Sequence, residues 1–172
     1  MNEIEVTDNF LSEEVFEGLK EILDADVPWV FSEVVYESDR LCDPKYNFQY
    51  VHVVYANHEP RSKYYNNILP VLEKLNVRTI ARSKVNSICR QEEIITHGFH
   101  TDIIFPNSPE RENGCKTSIL YLNNNDGFTV FEDGTKVESV ANRLVTFPTT
   151  YRHSGTTCTD VHRRVALNIV YF

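Results

Sequence analysis

The spacing of apolar residues divides the chain into a helical and mixed N-terminal part and a β-rich remainder. Residues 13–23 follow Ser12, a typical helix-capping residue, and repeat apolar side chains at helical spacing. The β-branched and aromatic runs at 30–36 and 48–55 are separated by polar residues, which is typical of strands joined by a loop. We therefore expect one amphipathic helix followed by two strands.

A second helix is predicted from about Ser62 to Leu75, where apolar residues again recur on one face. Pro70 lies inside this segment and lacks the backbone N–H that a helix interior requires. Either the helix kinks at Pro70, or a new helix begins there with Pro70 in its first turn. The pattern leaves both arrangements open.

From Val77 onward the sequence consists of short β-rich runs between turn residues. The predicted strands are 79–90, 94–102, 116–122, 128–131, 136–138, 143–147 and 163–171. Asn123 to Gly127 and the pair Asp133-Gly134 supply residues that tolerate the positive φ angles of turns. The regular spacing favours an antiparallel sandwich or barrel. We predict an α+β, mainly β fold in a single domain, 1–172, with helical and strand support over 1–78 packed outside a β-core over 79–172.

Length, composition and charge argue against several classes of protein. The 172 residues carry a net charge of −8, which opposes nonspecific attraction to nucleic acid or to anionic lipid. The acidic N-terminus does not resemble a signal peptide, and no apolar run approaches the length of a membrane span. The four cysteines are scattered and form no zinc or disulfide pattern. We expect a cytoplasmic protein with no nucleic-acid or membrane partner, and the sequence leaves its oligomeric state open.

Candidate metal ligands lie in the segment 97–102. His100 and Asp102 are two positions apart, so on an extended strand both side chains point to the same face. Two imidazoles and one carboxylate on one side of a metal leave open positions, as in non-haem iron(II) oxygenases. The best third ligand is His153, which follows a predicted strand and turn. His97 is also near, but on a strand it points away from His100, so a shared zinc site is not expected.

The last predicted strand begins with two arginines and is otherwise apolar. By strand periodicity, Arg164 and Asn168 share one face, and Arg163 shares the other with apolar residues. A buried charge requires an anionic partner, and the planar guanidinium suits two-point binding of a carboxylate. An inward arginine therefore predicts a carboxylate ligand, whereas arginines at an exposed strand end would need none.

With these segments in order, the sequence resembles the prolyl-4-hydroxylase-like branch of the iron(II)/2-oxoglutarate dioxygenases. The matching segments are HGFHTD at 97–102, KTSILYLNNNDGFTVFEDG at 116–134, NRLVTFPTTYRHSGTT at 142–157 and RRVALNIVYF at 163–172. The resemblance covers residues 79–172, and more loosely the N-terminal DNFLSEEV and the Pro28-Trp29 region.

The resemblance implies a double-stranded β-helix, or jelly-roll, with His100, Asp102 and His153 as catalytic iron(II) ligands. It further implies 2-oxoglutarate as cosubstrate, O2 as oxidant, and hydroxylation of a prolyl or other residue of a peptide or protein, with release of succinate and CO2. Small metabolites remain open as substrates.

The resemblance also assigns a cosubstrate pocket. Arg164 pairs with the distal carboxylate, because an arginine followed by alternating small or polar residues fits the family pattern. The interval from His153 to Arg164 is eleven positions, and Arg163 restores the ten seen in many members. In the similar enzymes a tyrosine that matches Tyr121 donates a hydrogen bond to this carboxylate, and the alternative is that Tyr121 is a core aromatic with its hydroxyl at the barrel rim. Thr117, which shares a strand face with Tyr121, is also assigned to the pocket, together with Asn86 and Asn168.

Three further expectations remain open at the level of sequence. The polar, proline-containing loop after the first motif, 103–114, is a candidate lid or substrate-recognition loop. A jelly-roll can also serve as a binding module, which would be indicated by loss of a ligand or of the arginine. A cupin-like metalloenzyme that does not use 2-oxoglutarate would ordinarily have a further histidine or glutamate near the first motif and no inward arginine.

Overall fold

The computed structural model describes residues 3–25, 27–103 and 114–172. Within them, the strands are β1 (Glu5–Thr7), β2 (Val30–Ser32), β3 (Gln49–Ala56), β4 (Glu59–Pro60), β5 (Ile80–Cys89), β6 (Lys116–Tyr121), β7 (Phe128–Phe131), β8 (Lys136–Glu138), β9 (Leu144–Pro148), β10 (His153–Gly155) and β11 (Arg163–Tyr171). The α-helices are α1 (Glu13–Ala25) and α2 (Leu69–Lys74). Short 3-10 turns lie at Glu37–Asp39, Pro44–Tyr46 and Tyr65–Ile68.

Two antiparallel sheets form the body of the molecule. The major sheet has the strand order β1-β9-β6-β11-β5-β3-β2, with β4 paired to β3. The minor sheet has the order β10-β7-β8. Side chains of the two sheets meet in one apolar cluster, which includes Tyr121 and Phe147 from the major sheet and Phe131 from the minor sheet. The prediction of a mainly β, jelly-roll fold is confirmed.

The opposite face of the major sheet holds the larger core, where the helices pack. Leu19 and Leu23 of α1 and Val71 of α2 lie buried against Leu167 and Ile169 of β11. Burial of an aliphatic side chain contributes about 1.5–3 kcal/mol, so this helix-covered face supplies much of the stability. The helices lie outside the β-core, as predicted, and leave the other face of the sheet to the space between the sheets.

The central strand β11 shows how the sequence positions the interior. It pairs with β5 on one side and β6 on the other, and its residues alternate between the two faces of the sheet. Val165, Leu167 and Ile169 point into the helix-covered core. Arg164, Ala166 and Asn168 therefore face the space between the two sheets.

Three predicted elements differ from those observed. The predicted 30–36 strand is confined to Val30–Ser32. The predicted 62–75 helix is a 3-10 turn followed by α2, in which Pro70 occupies the first turn, so a new helix begins there. The predicted 94–102 strand is wrong, since only Thr96 and His100 form isolated bridges there.

The predicted lid loop falls almost wholly outside the described residues, which resume at Gly114. In the part of the chain that is described, no helix has both the length and the apolar character needed to span a bilayer.

Candidate metal centre and cosubstrate pocket

The segment that carries His100 is joined to β10 by its backbone. The amide of His100 donates to the carbonyl of His153, and the amide of His153 donates to the carbonyl of His100, both at 3.0 Å. This antiparallel bridge brings the two imidazole rings to 4.9 Å between centroids. Residues 53 positions apart in sequence therefore present their rings side by side in the space between the sheets.

An irregular backbone, rather than a continuous strand, positions this segment. Gly98 has a φ of +152°, and a Cβ atom there would lie 2.1 Å from the carbonyl oxygen of Asp39. The amide of Gly98 donates to Ser154 Oγ at 3.2 Å, and the carbonyl of His97 accepts from the amide of Leu41 at 2.8 Å. These contacts hold the segment in place without the ladder that a strand provides.

His100, Asp102 and His153 form one cluster of metal-type ligands. One ligand atom from each residue lies within 4.8 Å of the others, and His153 Nε2 is 3.5 Å from Asp102 Oδ2. The Nδ1 atoms of His100 and His153 lie 3.4 Å and 3.2 Å from the backbone carbonyls of Gly98 and Tyr151. Carbonyl oxygens only accept, so each Nδ1 donates and leaves Nε2 unprotonated for a metal. The donor set fits a facial two-histidine, one-carboxylate iron(II) site.

The carboxylate of Asp102 is buried and held from two sides. Arg82 Nη2 donates to its Oδ1 at 3.1 Å, and Asn168 Nδ2 donates to its Oδ2 at 3.0 Å. Burial alone would raise the pKa of Asp102, but nearby His153, Lys84 and Arg82 outweigh burial and hold this pKa well below its usual range. Asp102 is therefore an oriented, ionised ligand.

The imidazole of His100 is kept neutral by its surroundings. Burial, followed by the proximity of His153, lowers the pKa of His100 to about 4. A neutral imidazole is the form that binds a metal, so His100 needs no deprotonation near neutral pH.

Arg164 is buried between the sheets, with 5% of its surface exposed. Its Nε donates to Ser139 Oγ at 2.7 Å, its Nη2 donates to Thr129 Oγ1 at 3.0 Å, and its Cζ lies 5.3 Å from the ring centre of Tyr121. Burial lowers the pKa of this guanidinium. Among the described residues no carboxylate pairs with it. A buried cation with only neutral partners is strongly favoured to bind an anion.

The neighbouring Arg163 lies on the opposite side of the sheet. Its guanidinium carbon is 5.3 Å from the ring centre of Trp29, which packs against the helix-covered core. Strand parity thus separates the two arginines, and Arg164 is the one that faces the space between the sheets.

The remaining residues predicted for the pocket are placed differently from one another. The hydroxyl of Tyr121 donates to Thr129 Oγ1 at 2.8 Å, beneath Arg164. Thr117 is buried, and its hydroxyl is hydrogen-bonded to Thr149 Oγ1 at 3.1 Å. It does not line the chamber that contains Arg164 and the three candidate ligands. Asn86 and Asn168 both line the cavity, and each has a buried Oδ1 without a partner among the described residues.

Sequence reasoning missed four polar residues of this region: Arg82, Lys84, Thr129 and Ser139. A signal existed for the first two, because Arg82, Lys84 and Asn86 alternate on β5 and so share a face. Thr129 and Ser139 carried no comparable signal, since isolated hydroxyl residues are common in strands and turns.

Two connected spaces open beside the ligand cluster. The inner chamber is lined by Arg164, Thr129 and Asn86 together with the three ligands. The outer cleft, about 360 Å³ in volume, is lined by residues that include Arg82, Tyr36 and Arg152. His100, Asp102 and Lys84 line both spaces. His100 and Asp102 thus lie between the inner chamber and the outer cleft, while His153 faces the chamber.

Comparisons with solved structures identify the fold. The chain is similar to a prolyl-4-hydroxylase from Pseudomonas putida, with a TM-score of 0.66 and 15% identity over 98% of this chain and 91% of that chain. It is similar to an oxidoreductase of the 2OG-Fe(II) oxygenase family from Burkholderia pseudomallei, with a TM-score of 0.67 and 14% identity over 98% and 85%. It is also similar to a prolyl hydroxylase from Trichoplax adhaerens, solved in complex with a hypoxia inducible factor oxygen degradation domain peptide fragment. Here the TM-score is 0.60 and the identity 16%, over 100% of this chain and 84% of that chain.

No protein-family model and no curated protein matches the sequence. At these identities the structural similarity establishes the fold: the chain has the jelly-roll of the 2OG-Fe(II) oxygenases, as the sequence motifs implied.

Proposed function

We propose that the chain is an iron(II)- and 2-oxoglutarate-dependent dioxygenase, which converts a C–H bond of its substrate to C–OH as 2-oxoglutarate and O2 become succinate and CO2. One observation carries the proposal. The cluster of His100, Asp102 and His153 opens into the same chamber as Arg164, a buried cation without a carboxylate partner among the described residues. A metal-type donor set and an anion-binding arginine in one chamber suit a ligand that carries both a chelating group and a distant carboxylate.

Each residue of the chamber has a defined task in this reaction. His100, Asp102 and His153 would hold the iron, with Arg82 and Asn168 fixing the orientation of the carboxylate. Arg164 would bind the distal carboxylate of 2-oxoglutarate, with Thr129 and Ser139 orienting the guanidinium. When bound, iron(II) is the site at which O2 is reduced, using electrons from the decarboxylation of 2-oxoglutarate.

The position of Tyr121 refines its proposed part in binding the cosubstrate. Its hydroxyl is engaged with Thr129, and its ring lies under Arg164. In this geometry Tyr121 supports the arginine and the threonine. Direct donation to the cosubstrate would require the hydroxyl to leave Thr129.

For the substrate, we propose a prolyl or other residue of a peptide or protein. Two of the structural neighbours are prolyl hydroxylases, and one of these was solved with a peptide. The outer cleft is lined by His100 and Asp102, so a chain segment bound there lies beside these two ligands. Neither a binding module nor a cupin-like enzyme without 2-oxoglutarate has an evident use for the buried Arg164.

Anaerobic titration with iron(II) and 2-oxoglutarate tests the proposal. We expect the weak visible charge-transfer absorption of the iron chelate in the wild-type protein, and its loss in His153→Ala. Circular dichroism of His153→Ala provides the control for folding. Wild-type protein that binds iron(II) but shows no chelate absorption would contradict the use of 2-oxoglutarate and favour a different metalloenzyme.

A further inference from the structure

Lys84 occupies the boundary between the chamber and the cleft. It lies on the inward face of β5, opposite Asn168, and lines both spaces. Within the described parts of the chain, no hydrogen bond or ion pair to its ammonium is found. Lysine side chains inside proteins are ordinarily paired, because an unpaired ammonium loses hydration without compensation.

A second cation lies beside Lys84 in the outer cleft. Arg82 uses Nη2 to hold Asp102, and its buried Nε has no partner among the described residues. Its side chain is 31% exposed and lines the cleft but not the inner chamber. Arg82 therefore borders the cleft and retains a donor without a partner among the described residues.

The carboxylates of the cleft offset one charge of this pair and leave the other. Asp39 is matched by Arg152 at 3.3 Å, and Asp102 forms its ion pair with Arg82. Glu33 contributes to the lining but is exposed to solvent. Arg82, Lys84 and Asp102 together leave one excess positive charge on the inner wall of the cleft, although the chain as a whole carries a charge of −8.

We propose that Lys84 and Arg82 form an anion-binding subsite that recognises a carboxylate of the peptide substrate, adjacent to the residue that is oxidised. This inference rests on the proposed function and specifies its substrate: a peptide with an acidic side chain at this position. Lys84 and Arg82 are binding residues that select the substrate.

The location of the pair separates this subsite from the cosubstrate site. Arg164 and its partners Thr129 and Ser139 lie away from the outer cleft, and they account for the distal carboxylate of 2-oxoglutarate. Arg82 opens only to the cleft. An anion that reaches both Lys84 and Arg82 therefore enters from the substrate side.

The state of Lys84 agrees with this assignment. Burial and the nearby Arg82 lower its pKa to about 8. A desolvated ammonium without a counterion gains more binding free energy from an incoming carboxylate than an ammonium that is already paired.

Matched peptides test the subsite. Capped dipeptides would combine each of the twenty amino acids with either glutamate or glutamine, in both orders, at saturating iron(II) and 2-oxoglutarate. The measurement is succinate formed above the background without peptide. We expect glutamate peptides to reach half-saturation at roughly ten-fold lower concentration than their glutamine partners, as for one charge-assisted hydrogen bond.

Variants of Lys84 assign the preference to the subsite. Lys84→Met keeps the aliphatic stem and should equalise the two peptide series, whereas Lys84→Arg should retain the preference. Lys136→Met removes a charge from the distant strand β8 and controls for net charge. Arg82 is left unchanged because it also orients Asp102.

Three results would overturn the inference: equal response to both series in wild type, no response to any glutamate peptide, or an unchanged preference in Lys84→Met. Loss of 2-oxoglutarate chelate absorption in Lys84→Met would assign the lysine to the cosubstrate and also overturn it. Failure of the proposed function is distinct, since the wild-type chelate absorption would then be missing.

Discussion

The two adjacent arginines of β11 differ in their surroundings. Arg163 lies over Trp29, while the buried guanidinium of Arg164 donates to the hydroxyl groups of Ser139 and Thr129 and lies over the ring of Tyr121. The sequence left the choice between them open, because strand parity allows one arginine inward without saying which. The structure resolves their positions through the pairing of β11 with β5 and β6.

Replacing Arg164 by methionine tests its role. We expect Arg164→Met to weaken 2-oxoglutarate binding by about 100-fold, the cost of a lost bidentate, charge-assisted contact. The chelate titration measures this change. Arg163→Met is the matched control and should bind 2-oxoglutarate as wild type does. Equal loss in both variants would show that general charge, rather than position, governs binding.

Lys84 should limit stability at neutral pH. Its folded-state pKa of about 8 lies below its ordinary value of 10.5, so between these pH values the unfolded chain binds a proton that the folded chain has released. The free energy of unfolding should therefore rise by roughly 1–3 kcal/mol as the pH increases from 8 toward 10.5, and this contribution is absent below pH 8.

Urea unfolding of wild type and Lys84→Met at pH 7 and pH 10 measures this linkage. The variant should be more stable at pH 7 by about the same 1–3 kcal/mol, with the advantage shrinking as pH rises. A difference that does not change with pH would mean that Lys84 titrates alike in folded and unfolded chains.

At the scale of elements, strands bounded by clear turn residues were the most predictable. The prediction for β11 matches the observed bounds, and those for β7 and β8 do so as well. These strands alternate or concentrate apolar residues between clear turns, so the pattern itself contains their bounds. The segment 94–102 has similar composition, but its partners are a loop near Asp39 and side chains of Ser154 and Thr157. No local pattern encodes such distant partners.

Gly98 tests how this segment positions His100 and Asp102. Gly98→Ala would place a Cβ atom 2.1 Å from the carbonyl oxygen of Asp39 at an unfavourable φ, so the segment must shift. We expect metal affinity to fall by about ten-fold or more, with destabilisation of about 2 kcal/mol. Mn(II) titration and urea unfolding measure these two changes.

Gly18 provides the control for this substitution. It lies within α1, where a Cβ atom would meet no described atom within 4 Å beyond the neighbouring residues and backbone of the helix itself, so Gly18→Ala should stabilise the protein by roughly 0.5–1 kcal/mol. Its metal affinity should equal that of wild type. If Gly98→Ala also retained full metal affinity, the segment would not depend on the close approach to Asp39.

For the whole molecule, the two faces of the major sheet have different roles: one packs against the helices, and the other carries residues of the candidate site. One face is covered by helices and apolar side chains, while the other carries Arg82, Lys84, Asn86, Arg164 and Asn168 toward the minor sheet. Periodicity and the ordered motifs predicted the jelly-roll and indicated the residues of the ligand cluster. The positions of Arg82, Lys84, Thr129 and Ser139 around the ligands depend on the register between strands and on the packing of the two sheets. The sequence pattern does not contain this information.

Ligand binding should therefore stabilise the packing of the two sheets against each other. His153 belongs to the minor sheet, Arg164 to the major sheet, and His100 and Asp102 to the segment between them. Mn(II) at about 100 times its dissociation constant should stabilise the fold by about 2.7 kcal/mol, measured by urea unfolding. Adding 2-oxoglutarate at about 100 times its dissociation constant from the Mn(II)-loaded protein should contribute about the same again. Arg164→Met should keep the increment from Mn(II) and lose that added by 2-oxoglutarate. If 2-oxoglutarate stabilised the protein equally without metal, the two ligands would occupy independent sites rather than one chamber.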